Sequence, residues 1–256
     1  MISLFCTDLD GNLLGNPDST RRFHAQWSAL PCDRRPSLVY NTGRKISEVR
    51  ALVSEGILPS PDAIIGEGGA TLEDLDDPTS AQAFESQFGE SWDLKTVETV
   101  LRSLLFLNPE SRPPSSPLKS SWYLEDASRS QLKMVADALQ AAGIRATLIY
   151  SCHCLLDIVP GKTDRGTALA WLCQRREIPL RQVLVAAADS SDKSLFVLPN
   201  VARLVTANAV SALRSENAQF ASFVSRASFA DGLLEGLRHF GVIESPRRFA
   251  SQPAYS

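Results

Sequence analysis

Mainly apolar runs along the chain end repeatedly in polar loops, and helix-like segments lie between these runs. Ile2–Cys6, Ser37–Tyr40 and Ala63–Ile65 have the composition of buried strands, because a strand of a parallel sheet is covered on both faces. The intervening segments 19–29 and Ile46–Gly56 have helical character. This alternation predicts right-handed βαβ units and a parallel sheet, with any active site at the carboxyl ends of the strands.

The pattern changes near residue 73 and returns near residue 159. An acidic break at Glu73–Pro78 and a proline- and serine-rich stretch at Asn108–Pro117 are typical of loops or linkers. Between and after them the pattern predicts helices near 92–106 and 130–142 and strands near 120–124, 145–151 and 154–159. The second half of the core then continues with a helix at 166–174, strands at 182–187 and 202–205, and a helix near 230–239.

These changes predict a core domain that is split by an inserted α+β domain. The predicted boundaries are 1–77 for the first part of the core, 78–158 for the insert, 159–244 for the second part of the core and 245–256 for a weakly ordered tail.

Composition and charge exclude several classes of partner. The 256 residues include 26 basic and 29 acidic side chains, for a net charge of -3, which provides no broad cationic surface for nucleic acid or for an anionic membrane. The chain contains no uninterrupted apolar stretch of about 18 residues, and Asp8 comes too early for the apolar region of a signal peptide. Five cysteines are too few and odd in number for a disulfide framework. We therefore expect a cytoplasmic protein with reduced thiols.

Candidate chemistry begins at the end of the first apolar run. Asp8 and Asp10 are separated by one residue, so the twofold alternation of an extended chain predicts that their side chains point to the same side. Such a pair can bind a hard cation, or one carboxylate can attack phosphorus while the other handles a proton. Asp-Gly is also an ordinary turn dipeptide, so these residues alone leave the alternatives open.

Four segments together carry a resemblance to a known superfamily. Phe5–Leu14 resembles the first motif of haloacid dehalogenase (HAD) proteins, DxDGT, with Asn12 in place of the usual threonine. Val39–Arg44 ends in the triplet TGR, which resembles the second motif of the sucrose-phosphate phosphatase branch. Asp157–Leu169 and 183–196 resemble the third and fourth motifs. The resemblance implies a Rossmann-like α/β HAD core with a parallel sheet and an inserted α+β C2-type cap domain.

The resemblance also implies roles for individual residues. Asp8 is the expected nucleophile, Asp10 the general acid and then base, Thr42 a phosphate ligand, and Arg165 the cation that neutralises the phosphoryl group. We also expect Thr42 to cap the helix before Ile46. The expected cofactor is Mg²⁺, and its expected ligands are Asp8, Asp10, Asp189 and Asp192. The expected substrate-binding residues are Gly43, Arg44, Gly68, Gly69, Lys119 and Lys162.

Two further positions, in the third and fourth motifs, depart from the family pattern. Arg165 occupies the place of the usual lysine, and Lys162, three residues earlier, is an alternative cation. Ala188 occupies the place of the first aspartate in the fourth motif, and Asp189 comes one residue late. Either a shift of the loop brings Asp189 to the metal, or one metal ligand has been lost.

The combined pattern predicts a Mg²⁺-dependent phosphatase acting on a small sugar phosphate, such as sucrose 6-phosphate, through an aspartyl-phosphate. The alternative is a catalytically weakened HAD-like protein that binds a sugar phosphate or a protein partner. The choice between hydrolase and phosphotransferase, the particular sugar and the oligomeric state stay open at this point.

Overall fold

The computed structural model describes residues 1–89, 92–110, 116–151, 153–188, 193–209 and 223–244. Its strands are β1 (Leu4–Thr7), β2 (Ser37–Asn41), β3 (Ala63–Gly66), β4 (Thr71–Asp74), β5 (Asn108–Pro109), β6 (Ser120–Tyr123), β7 (Ala146–Ser151), β8 (Leu155–Pro160), β9 (Val183–Ala187), β10 (Ala202–Val205) and β11 (Phe223–Val224). Its helices are α1 (Pro17–Ser28), α2 (Ile46–Ser54), α3 (Ser80–Gly89), α4 (Leu94–Arg102), α5 (Arg129–Ala141), α6 (Arg165–Arg175), α7 (Lys193–Phe196) and α8 (Phe229–His239). Single 3₁₀ turns lie at Glu67–Gly69 and Leu180–Gln182. Among the helices of these ranges, none has the length and apolar character that crossing a membrane requires.

The larger sheet has β1 at its centre. In the described ranges seven strands follow the order β11-β10-β9-β1-β2-β3-β4, and every neighbouring pair is parallel except β3 and β4. Leu4 of β1 lies opposite Ser37 on one side and Val183 on the other. This arrangement confirms the predicted α/β class with a parallel sheet.

Helices cover both faces of this sheet, and β1 shows why its sequence is continuously apolar. Leu4 and Cys6 pack into the hydrophobic cluster on one face, whereas Phe5 packs into the cluster on the other. There the Phe5 ring lies 5.8 Å from the ring of Trp27 of α1. Strand alternation therefore sends consecutive apolar side chains into two separate cores.

The insert forms a second, smaller sheet with its own core. Its strands follow the order β5-β6-β8-β7 and pair antiparallel. Trp122 of β6 and Leu156 of β8 form a separate hydrophobic cluster with Val97 of α4 and Val135 of α5. We refer to this unit as the cap.

Helix α3 packs with the core, although the sequence predicted that the insert begins at residue 78. Phe84 of α3 belongs to the cluster under the large sheet, and its ring makes an edge contact with Trp171 of α6, 5.3 Å away. The acidic break before α3 does not separate the domains, because Asp74 pairs with Arg176, the residue that follows α6, and this pair holds the segment on the core. By packing, the cap therefore begins after α3. The predicted tail, 245–256, lies outside the described residues.

Candidate active site

Asp8 follows the central strand at the carboxyl edge of the large sheet. Its side chain is 5% exposed, and Oδ1 lies 3.1 Å from Nη1 of Arg165. Its backbone N–H donates to the carbonyl of Ala186 in β9. This bond continues the hydrogen bonding between β1 and β9 by one residue. A buried carboxylate requires a charged or hydrogen-bonding partner, and Arg165 supplies one.

Arg165 is the first residue of α6, and the helix start places it over Asp8. Asp164 caps the helix by accepting a hydrogen bond from the backbone N–H of Thr167 at 2.7 Å. The guanidinium of Arg165 reaches back to the sheet, and the residue is buried. Lys162, the alternative cation, is exposed on the turn between β8 and α6. The structure therefore brings Arg165 rather than Lys162 to Asp8.

Asp10 pairs with a second arginine. Arg44 donates from Nε and Nη2 to the two carboxylate oxygens of Asp10, at 2.8 and 2.6 Å. The Asp10 side chain is 56% exposed, so it does not share the burial of Asp8. Strand β1 ends at Thr7, and the twofold alternation that predicted a common direction for the two carboxylates does not extend past that residue.

The charge of Arg44 is stabilised by this site. The hydrogen bond that Arg44 donates to Asp10 is the largest influence on the pKa of Arg44 and raises it. The charges of Asp10, Glu48 and Asp8 raise this pKa further, against the opposing effect of burial. The contribution of Asp8 shows that Arg44 lies within electrostatic range of both carboxylates.

Thr42 and Gly43 form the loop that follows β2. Thr42 is fully buried, and its hydroxyl oxygen accepts a hydrogen bond from the backbone N–H of Arg44 at 3.2 Å. The prediction that Thr42 caps α2 is wrong, because the turn through Gly43 and Arg44 intervenes and Lys45 occupies the N-cap position. A Cβ on Gly43 would lie 3.6 Å from Nη2 of Arg165, so Gly43 faces the same guanidinium as Asp8.

The turn Glu67–Gly69 joins the second motif, the start of α6 and the cap. Gly68 donates from its backbone N–H to the carbonyl of Thr42, and a Cβ on Gly68 would lie 3.3 Å from Cδ1 of Ile149 in the cap. Gly69 has a φ of 101°, and a Cβ there would lie 2.7 Å from the backbone nitrogen of Arg165. Gly68 therefore lies where the turn approaches the cap, and Gly69 lies where the turn approaches the start of α6.

Lys119 is buried where the cap meets this turn. Its Nζ lies 3.1 Å from Oδ2 of Asp157 in β8 and 3.5 Å from Oε1 of Glu67 in the core. Ser121 donates from its hydroxyl to the other oxygen of Asp157 at 2.7 Å. A cation between two buried carboxylates thus links the cap to the core beside the TGR loop.

Two asparagines hold the loop after β1. Asn12, in the place of the family's threonine, is fully buried and donates from Nδ2 to the hydroxyl of Thr7 at 3.2 Å. Asn208 donates to the carbonyl of Gly11 at 2.7 Å and accepts from the backbone N–H of Phe229, the first residue of α8. These bonds fix the loop that carries Asp8 and Asp10.

The predicted metal ligands are all oxygen donors, which suits a hard cation such as Mg²⁺. The described residues contribute Asp8, buried at the edge of the sheet, and Asp10. Asp189 and Asp192 lie outside the described residues, and within the described ranges no group of three or more His, Cys, Asp or Glu side chains is arranged for a metal ion. Ala188, the residue directly after β9, is only 6% exposed and packs in the hydrophobic cluster of the core. The residues present therefore fit part of a magnesium site.

Sequence reasoning missed Asn41, which contacts Arg165 directly. Asn41 is the last residue of β2 and is fully buried, and its Nδ2 donates to the backbone carbonyl of Arg165 at 3.0 Å. The one available signal was a polar amide at the end of an otherwise apolar strand.

Comparison with known proteins gives consistent results. The sequence profile of the sucrose-6F-phosphate phosphohydrolase family matches residues 1–241. Mannosylfructose-phosphate phosphatase of Agrobacterium fabrum is 38% identical over 242 residues, which cover 94% of this chain and 98% of that protein. Sucrose-phosphatase 1 of Nicotiana tabacum is 29% identical over 259 residues, which cover 95% of this chain and 61% of the tobacco protein. The structure of the sucrose-phosphatase from Synechocystis sp. PCC6803, in complex with sucrose and phosphate, matches with a TM-score of 0.80 at 23% identity, covering 96% of this chain and 100% of that one; this last likeness concerns the fold.

Proposed function

Because the chain belongs to the sucrose-6F-phosphate phosphohydrolase family, a family of HAD phosphatases, we propose that it hydrolyses the phosphate monoester of a disaccharide. The observation that carries this proposal is the buried contact between Asp8 and Arg165 at the carboxyl edge of the central strand. The relative that matches over nearly its whole length acts on mannosylfructose phosphate. We therefore propose mannosylfructose phosphate as the first substrate to test and sucrose 6-phosphate as the second.

In the proposed reaction an Asp8 oxygen attacks phosphorus, and the bond between phosphorus and the sugar oxygen breaks. Asp10 donates a proton to the departing sugar oxygen, which leaves a phosphoryl group on Asp8. Asp10 then accepts a proton from water as that water attacks the phosphorus, and inorganic phosphate and the Asp8 carboxylate are released. Exposure of Asp10 at the mouth of the site, beside the buried Asp8, suits this division of roles.

Arg44 has to release at least one of its bonds to Asp10 before that carboxylate can serve the sugar oxygen. A phosphate dianion is a competing partner for a guanidinium and forms the same kind of bidentate contact. Substrate binding is therefore expected to draw Arg44 toward the phosphate and to free Asp10.

Arg165 supplies a fixed positive charge beside the nucleophile. Its guanidinium offsets the repulsion between the Asp8 carboxylate and the incoming phosphate, and burial makes that interaction stronger than it is in water. A bound Mg²⁺, held by Asp8, Asp10 and the carboxylates that follow β9, would supply further charge neutralisation at the phosphate.

The cap is proposed to choose the leaving group. Lys119, Asp157 and Glu67 place one ammonium and two carboxylates where the cap faces the core. Groups of this kind bind hydroxyl groups well. Disaccharide phosphates that differ in one hydroxyl should therefore be distinguished here.

Ala188 favours a second candidate, a HAD-like protein that binds a sugar phosphate without efficient turnover. An apolar methyl group occupies the position of a carboxylate that ligates the metal in the family pattern. Titration with beryllofluoride and Mg²⁺ separates the two candidates, because a complex with Asp8 at millimolar metal supports the enzyme and its absence supports the binding protein.

The test of the proposed function is phosphate release from a panel of sugar phosphates, with and without Mg²⁺. We expect turnover of at least one disaccharide phosphate in the presence of Mg²⁺, and a loss of about 1,000-fold or more in Asp8→Asn, which preserves shape and removes the nucleophile. Asp18→Asn, at an exposed ion pair on α1, is the matched control and should keep wild-type activity. Equal activity of Asp8→Asn and wild type would reject Asp8 as the nucleophile.

A further inference from the structure

We infer that Asn41 is a positioning residue for Arg165, an inference that rests on the proposed role of Arg165 at the phosphate. The Asn41 side chain spans from the end of β2 to the first residue of α6, where Nδ2 donates to the carbonyl of Arg165 at 3.0 Å. The same arginine contacts Asp8 through its guanidinium. Asn41 thus holds the backbone of the residue whose side chain meets the nucleophile.

The start of α6 is held by tight contacts on its other sides. Gly69 leaves room for the Asp164 and Arg165 backbone, where any Cβ would overlap. Gly166 packs equally closely against Ser194 of α7 and donates from its backbone N–H to the Ser194 hydroxyl. The start of α6 is therefore held by close contacts at Gly69 and at Gly166, and by the hydrogen bond from Asn41. These three contacts leave little freedom for the position of Arg165.

This precision matters because the chain carries arginine where its family pattern has lysine. A lysine ammonium is a point charge on a flexible stem, whereas a guanidinium is planar and interacts well only in a matching orientation. Nη1 of Arg165 lies 3.1 Å from Asp8, and Nη2 faces Gly43, so the guanidinium contacts both the loop after β1 and the loop after β2. Small movements of the helix start would misalign it.

The hydrogen-bonding of Asn41 argues against a role limited to stability. Its Oδ1 is buried and has no hydrogen-bond partner among the described residues. An unpaired buried acceptor destabilises the folded state, so an apolar residue of similar size would suit this strand end better for folding alone. The amide therefore serves its bond to Arg165, because local departures from the best packing are typical of functional positions.

The experiment is a double-mutant cycle of Asn41→Val with Arg165→Ala, using two readouts that do not depend on each other. The first is kcat and KM for the disaccharide phosphate; the second is the affinity for orthovanadate measured by calorimetry, which needs no turnover. Urea unfolding of every variant accompanies both. Asn208→Val is the matched control, since Asn208 also donates to a loop carbonyl of the site but does not contact Arg165.

We expect Asn41→Val to lower kcat by about 10- to 100-fold and to weaken vanadate binding, with a urea midpoint close to wild type. In the Arg165→Ala background the same substitution should change neither quantity further, whereas Asn208→Val should have the same effect in both backgrounds. Two results would overturn the inference. One is an equal effect of Asn41→Val on kcat in the two backgrounds. The other is a urea midpoint low enough for unfolded protein to account for the whole loss of kcat. If wild type releases no phosphate, the proposed function fails, and the vanadate cycle still decides whether Asn41 acts through Arg165.

Discussion

Replacing Gly69 with alanine adds one methyl group against the first residues of α6. Gly69 has a φ of 101°, a backbone conformation that a residue with a Cβ adopts only under strain. The added Cβ would lie 2.7 Å from the backbone nitrogen of Arg165 and closer still to the carbonyl of Asp164. Since these are backbone atoms, the overlap cannot be relieved by turning a side chain.

The structure gives the size of the expected effect. The positive φ costs about 1–3 kcal/mol, and the overlap requires a shift of about 1 Å, for which overpacking of a close contact costs about 1–3 kcal/mol. The sum is a loss of about 2–6 kcal/mol of unfolding free energy. The same shift moves Arg165 relative to Asp8, and a displacement of this size lowers kcat by about 100-fold.

The assay combines urea unfolding with steady-state hydrolysis of the disaccharide phosphate. Gly56→Ala is the matched control, because Gly56 has a φ of 70° and open space around the position of its Cβ. It should lose about 1–2 kcal/mol from backbone strain alone and keep its kcat. Equal unfolding free energies for the two variants, or wild-type kcat in Gly69→Ala, would refute the reasoning that Gly69 is required by the start of α6.

Three further substitutions or modifications test other parts of the structure. Lys119→Met should lower the unfolding free energy by about 3–5 kcal/mol, because it leaves two buried carboxylates without their shared cation; an unchanged urea midpoint would show that the cluster does not hold the cap to the core. Ala188→Asp should lower the unfolding free energy without Mg²⁺, since it buries a carboxylate. Millimolar Mg²⁺ should raise the melting temperature of this variant more than that of wild type. An equal rise in both proteins would indicate that this position does not reach the metal. Burial raises the pKa of the Cys173 thiol to about 12, against a smaller opposing effect of Arg176, so its contribution to stability should be complete below about pH 9 and fall as the pH rises toward 12. At pH 8 iodoacetamide should label the exposed Cys32 in the native protein and Cys173 only after unfolding, and native labelling of Cys173 would contradict its burial.

The sheet of the core was predictable because its strands are buried on both faces. Continuous apolar runs such as those of β1, β2 and β9 stand out from polar loops, and the structure places them side by side at the centre of the sheet. Helix α3 was not predicted, and its place against the core could not be read from the sequence. Periodicity shows that a helix has an apolar face, but it does not show which of two cores that face covers.

The candidate site was predictable in its residue types and less so in its contacts. The motifs indicated Asp8 and Arg165, and the structure brings these two side chains together. The pairing of Asp10 with Arg44 was missed because β1 ends before Asp10. Beyond the end of a strand, side chains no longer alternate between the two faces of the sheet. Asn41 was missed because its contribution is a bond to a backbone carbonyl 124 residues away, which no local spacing reveals.

The most direct test of the central claim is to trap the phosphoryl group on the enzyme. Wild type would be quenched with acid during turnover of the disaccharide phosphate with Mg²⁺, reduced with tritiated borohydride, which converts an acyl phosphate to an alcohol, and digested to locate the label. We expect tritium at Asp8 in wild type and none in Asp8→Asn. Label at another residue, or an unlabelled Asp8 in an enzyme that releases phosphate under the same conditions, would contradict the account.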